Sequence, residues 1–96
     1  MHMQKYELMI ILKPLLPEEI RKSVQEKIEK LVKKAKGNLL SQDLWGKRHL
    51  AYPIKKTEEG YYIVYKLELE PEFTDEFQHG LKLTNDILRF LLSKED

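Results

Sequence analysis

The most concentrated chemistry in this chain is cationic. Lys47, Arg48 and His49 are followed by Lys55 and Lys56 in one short tract beginning at Trp45. Strand-forming residues flank the polar stretch Lys55-Lys-Thr-Glu-Glu-Gly60, so the tract reads as a long hairpin carrying a basic cluster. Cations held beside a sheet suit the phosphates of a nucleic acid. Trp45 and Tyr52 add flat rings that can stack on bases, although in a hairpin such rings more often pack on the protein itself. A second set, Lys27, Lys30, Lys33, Lys34 and Lys36, interleaves with Glu26 and Glu29. It reads as the solvated side of a helix, with pairs formed at spacings of three and four.

Catalytic constellations are missing from the pattern. Without cysteine there is no disulfide framework, thiolate metal site or cysteine nucleophile. His2, His49 and His79 have no His-x₃-His spacing and read as surface residues, so no metal or cofactor is expected. Glu68, Glu70, Glu72, Asp75 and Glu76 cluster in sequence, but strand alternation and helical periodicity disperse them. The four glycines form no phosphate loop, and Ser23, Ser41 and Ser93 lack a nucleophile elbow. The expectation is a binding chain and not an enzyme.

With 96 residues and 42% hydrophobic content, the chain can bury one modest core. The longest apolar run, Leu8 to Leu12, is far below the roughly 20 residues of a membrane span, and a cytoplasmic location is expected. The net charge of +1 hides two opposed halves. Residues 1–56 hold 13 Lys and Arg against 6 Asp and Glu, whereas residues 57–96 hold 4 against 10. Such segregation suits RNA on one surface and a basic protein on another.

The elements that must position these groups are legible in the spacing. Tyr6, Leu8, Ile10 and Leu12 alternate with Glu7, Met9 and Ile11, the pattern of a central strand. Pro17-Glu-Glu opens a helix whose stripe is Ile20, Val24, Ile28, Leu31, Val32 and Ala35, and Gly37-Asn38 is expected to stop it. Leu39 to Trp45 and His49 to Ile54 are extended, with Gly46 as a bulge or bend and Pro53 marking a sheet edge. Tyr61 to Leu69 is the clearest strand. Pro71 opens a second helix carrying Phe73, Phe77 and Leu81, and Ile87 to Leu92 is the last strand.

That order predicts an α+β fold, the ferredoxin-like split βαβ (βαββαβ), with a four-stranded antiparallel sheet and two helices on one face. Leu8, Ile10, Ile28, Leu31, Ile63, Tyr65, Leu67, Phe77 and Leu81 are expected to share its core. Met9, Ile11, Tyr62 and Val64 fall on the open face together with one side of the last strand, an apolar strip that a partner would cover. Residues 3–93 read as a single domain, Met1-His2 as a cloning scar and residues 94–96 as a short polar tail. Residues 59–66 match the RRM signature poorly, since Glu59 and Tyr62 replace its basic and small positions, so a base-reading sheet is not expected.

Lys5-Tyr-Glu-Leu-Met-Ile-Ile-Leu-Lys-Pro14, Trp45-Gly-Lys-Arg-His-Leu-Ala-Tyr-Pro-Ile54 and Gly60-Tyr-Tyr62 resemble the bacterial small-subunit ribosomal protein six family, with similar order and spacing from residue 3 to 93. The resemblance implies a structural role in the small ribosomal subunit. Its members bind ribosomal RNA as a heterodimer with small-subunit ribosomal protein eighteen. By that similarity the RNA-facing cations are Lys5, Lys47, Arg48, Lys55, Lys56, Lys82 and Arg89. Gln4, Thr84 and Leu88 depart from the family, where related chains can carry arginine. A ligand-sensing ferredoxin-like module that dimerises through its sheet is the alternative, because a fold does not assign a function.

Overall fold

An apolar side chain at every second position makes a strand that rests on a core. Tyr6, Leu8, Ile10 and Leu12 do this in β1, Gln4–Leu12, and all four are buried. The computed structural model describes residues 3–51 and 57–95. After β1 come α1, Glu18–Lys34; β2, Asn38–Ala51; β3, Thr57–Leu69; a 3-10 turn, Pro71–Phe73; α2, Thr74–Lys82; and β4, Ile87–Lys94. This is the expected order of elements. Among the described residues the four strands form one antiparallel sheet, ordered β2-β3-β1-β4, so β2 and β4 are its edges. Val24, Ile28 and Val32 of α1 and Phe77 and Leu81 of α2 join Leu8, Ile10, Ile63, Tyr65 and Leu67 in the core. The half-buried Leu31 packs against it. Both helices therefore cover one face, and the ferredoxin-like arrangement is the observed one.

α1 starts at its expected place, with Pro17 as the residue before the first turn and its carbonyl accepting from the Ile20 and Arg21 amides at 3.0 and 3.1 Å. Ile20, expected to head the apolar stripe, is exposed, and burial begins at Val24. The stop differs in detail. Lys36, not Gly37, takes the left-handed conformation (φ 60), the Lys36 amide donates to the Lys33 carbonyl and the Gly37 amide to the Val32 carbonyl. That is a Schellman ending with lysine in the position where glycine is usual. Gly37 is needed for another reason, because a Cβ there would run into the Glu68 carbonyl of β3.

The β2–β3 pairing slips between Leu44 and Gly46, and Gly46 has φ 80, so the expected bulge lies there. Tyr52 and Pro53 lie outside the described residues. β4 is longer than the alternation of Ile87 to Leu92 implies. Lys94 pairs with Tyr6, the Glu95 amide donates to the Lys5 carbonyl at 2.9 Å, and the Gln4 side-chain amide donates to the Glu95 carbonyl at 2.7 Å. Two residues expected in a polar tail are thus held along β1, whose length offers ladder positions that polar residues can occupy as well as apolar ones.

Tyr65 stands in the core with its Oη buried and without a hydrogen-bond partner among the described residues. Burial, and to a smaller degree the nearby Glu29 carboxylate, pushes its phenol well above the ordinary tyrosine range. Burial raises Tyr6 in the same direction.

Candidate RNA and partner surfaces

Strand register sorts the face away from the helices into rows. One row runs Leu91, Met9, Val64 and Asp43 across β4, β1, β3 and β2. Its neighbours run Arg89, Ile11, Tyr62 and Gly46 on one side and Ser93, Glu7, Lys66 and Ser41 on the other. The sequence treats Met9, Ile11, Tyr62 and Val64 as one uncovered strip, but the structure makes them unequal. Ile11 and Tyr62 are 1% exposed and Val64 is 9% exposed, while Met9 is half-buried. Both central strands have neighbours on each side, and the bulge sets Trp45 beside Gly46, the partner of Tyr62. Arg48 holds that corner, its guanidinium 5.7 Å from the Trp45 ring and its Nε–H donating to the Trp45 carbonyl at 3.1 Å. Apolar surface remains open toward β4, where Leu91 is 61% exposed and Leu88 is exposed too. Leu91 was not singled out by the sequence, since its place beside Met9 follows from register and not from spacing.

The basic positions are distributed and not pooled. Lys47 and Arg48 adjoin in sequence, yet strand alternation sends them to opposite faces, a signal already present in the spacing. Lys47 turns to the helix side, 3.7 Å from the Glu59 carboxylate, with both side chains largely exposed. Arg48 lies on the open side with Trp45. Lys55 and Lys56 lie outside the described residues. Lys82 and Arg89, both exposed, border one groove between the end of α2 and β4, along with Leu81, Ile87, Leu88 and Phe90. Lys5 is exposed at the other end of β1, opposite Glu68, about 20 Å along the strand from the row of Arg89 at the usual rise per residue.

Two of the three departures have structural work to do. The Gln4 amide bonds the Glu95 and Lys5 carbonyls, and Thr84 is buried with its hydroxyl donating to the Gly80 carbonyl at 3.2 Å. Leu88 is exposed in the groove between Lys82 and Arg89. The lysines of α1 also differ from expectation. Among the described residues the helix has one ion pair, Lys22 with Glu18 at 3.8 Å, and Lys27, Lys30, Lys33, Lys34 and Lys36 make none. Arg21 is occupied elsewhere, donating to the Leu16 carbonyl at 2.6 Å and lying 4.4 Å above the Tyr61 ring. No three His, Asp or Glu side chains converge on a metal position among the described residues.

Residues 5–94 match the family defined as ribosomal protein S6. The chain belongs to the ribosomal protein S6 family. It is 41% identical to small ribosomal subunit protein bS6 of Dictyoglomus turgidum, with 98% of this chain and 100% of the relative covered. The bS6 protein of Caldanaerobacter subterraneus is 38% identical over 98% of this chain and 99% of its own length. The crystal structure of 30S ribosomal protein S6 from Thermotoga maritima superposes with a TM-score of 0.84 at 29% identity, covering 98% of this chain and 89% of that one. Membership of the S6 family gives the chain a structural role in the small ribosomal subunit, and so places it on the cytoplasmic ribosome. The family is one of ribosomal structural proteins.

Proposed function

We propose that the chain binds small-subunit ribosomal RNA together with small-subunit ribosomal protein eighteen, its cations meeting phosphates while the open sheet face seats the protein. Family membership over nearly the whole chain carries this reading. The disposition of charge supports it: Lys5, Lys47, Arg48, Lys82 and Arg89 are all exposed, where a phosphate can reach them. Lys55 and Lys56 join them as proposed contacts on sequence grounds. Lys47 is paired with Glu59, but an exposed ion pair contributes only about 0–1 kcal/mol, so exchange of the carboxylate for a phosphate is cheap. Met9, Ile11, Tyr62 and Val64 form the proposed seat of the protein partner, with Ile11, Tyr62 and Val64 as its floor and Met9 and Leu91 as the surface left to cover.

Dispersed cations and a net charge of +1 make the chain a weak RNA ligand by itself, and binding belongs to the two-protein complex. Each neutralised phosphate contributes roughly 0.7 to 0.9 to the slope of log affinity against log salt. Changing Lys47, Arg48, Lys55 and Lys56 together to glutamine is expected to flatten that slope by up to about 3 for the complex on small-subunit RNA, with little thermal destabilisation. An unchanged slope assigns the hairpin cations to solvent.

A further inference from the structure

We infer that the outer side of α1 is a second phosphate-binding surface for RNA, formed by Lys27, Lys30 and Lys34 on the helix layer. It rests on the RNA-binding role proposed above and adds a contact to the side of the molecule opposite the open sheet. Residues 26–36 hold five lysines against two glutamates, and each of the five is exposed. Glu26 and Glu29 stand at the right spacing to pair with Lys30 and Lys33, yet none of the five lysines has a carboxylate within ion-pair distance among the described residues. The ammonium groups are thus left for an external anion.

The helix dipole accounts for part of this charge and leaves part over. Cations are favoured in the last turn of a helix, which explains Lys33 and Lys34, but the effect fades within that turn. Lys27 and Lys30 lie one to two turns earlier. Lys27, Lys30 and Lys34 follow spacings of three and four, so they stand in one line about 10 Å long at the rise of an α-helix. Lys27 and Lys34 also border the groove between the helices, whose floor is Leu31, Ala35, Phe77 and Gly80. His79 stands on the opposite rim with Glu76. A row of unpaired ammonium groups is complementary to a phosphodiester backbone, which presents regularly spaced single charges and asks for no base recognition. The sheet face remains available to a protein at the same time, because α1 packs on the other side of the sheet.

The test uses the complex of this chain with protein eighteen and small-subunit RNA, comparing the parent with the Lys27→Gln/Lys30→Gln/Lys34→Gln variant. Glutamine keeps the helix propensity close to that of lysine, so the fold is retained and a thermal melt checks it. The variant complex is expected to lose about 2 units of salt slope, and RNA is expected to protect the three lysines of the parent from acylation. Normal affinity and slope in the variant, with the hairpin glutamine variant still impaired, overturns the α1 surface and leaves the proposed function standing. Loss of affinity for protein eighteen without any change in RNA protection also overturns it, since the face would then belong to a protein. A parent complex that binds no RNA overturns both.

Discussion

Replacing Leu91 with aspartate should separate docking from folding on the open sheet face, where Val64→Asp cannot. Val64 is 9% exposed, so aspartate there forfeits about 1.5–3 kcal/mol of aliphatic burial and desolvates a carboxylate directly opposite Asp43. The total is several kcal/mol against the 5–15 kcal/mol that keeps a domain folded, so weakened association by Val64→Asp reports on the monomer. Leu91 is 61% exposed on an edge strand, and a substitution there costs the isolated chain roughly 0.5 kcal/mol. If protein eighteen covers Leu91 and Met9, the same carboxylate becomes a buried, unpaired charge in the complex, a penalty of about 2 kcal/mol or more. Calorimetric titration with protein eighteen should then show affinity reduced about 30-fold or more, since 1.4 kcal/mol is tenfold, while the urea midpoint of the free chain hardly moves. Parent-like affinity of Leu91→Asp would refute the placement of the partner on this face.

Ile28→Ala and Leu67→Ala, both at fully buried positions, should each lower stability by about 2–5 kcal/mol in a urea melt. Tyr65→Phe removes a buried hydroxyl that has no partner among the described residues and should raise stability by about 1 kcal/mol at neutral pH; a loss would show that the hydroxyl is satisfied. Because the folded chain holds the Tyr65 proton above the ordinary value of 10.0, stability is unaffected by this group below pH 10 and falls as the pH rises beyond it, where ionisation favours the unfolded chain, so alkaline melts should fall more steeply for the parent than for Tyr65→Phe, with Tyr6 supplying a residual slope. Lys36→Gly relieves a left-handed lysine and should stabilise the chain by about 1 kcal/mol in the same melts.

Much of the architecture was legible because each element carries its own period. The alternation in β1, the stripe from Val24 to Val32 and the glycine bulge at Gly46 are local patterns, and local patterns survive without knowledge of neighbours. What spacing could not supply was register. The burial of Ile11, Tyr62 and Val64, the exposure of Leu91 and the extension of β4 to Lys94 all depend on which residues face one another across the sheet. The ending of α1 was misplaced by one residue because glycine has two uses, and at Gly37 the close approach of Glu68 outweighs the turn. Lys47 and Arg48 look like one cluster in sequence, although strand alternation already requires that they part.

That parting bears on how a nearly neutral chain can serve a large polyanion. Cations pooled on one face would bind RNA strongly and without a partner, whereas here they stand at the β2–β3 hairpin, at the end of α2, on β4 and along α1. Under the proposed RNA-binding role a single RNA segment touches only a few of them, and each region would then contribute a small, salt-sensitive part of the affinity. The proposed partner supplies the remainder, and the arrangement makes stable binding conditional on assembly. On the same proposal, low net charge would limit indiscriminate RNA binding by the free chain, and the open β4 side would limit stable docking to a protein that can cover Leu91 and Met9.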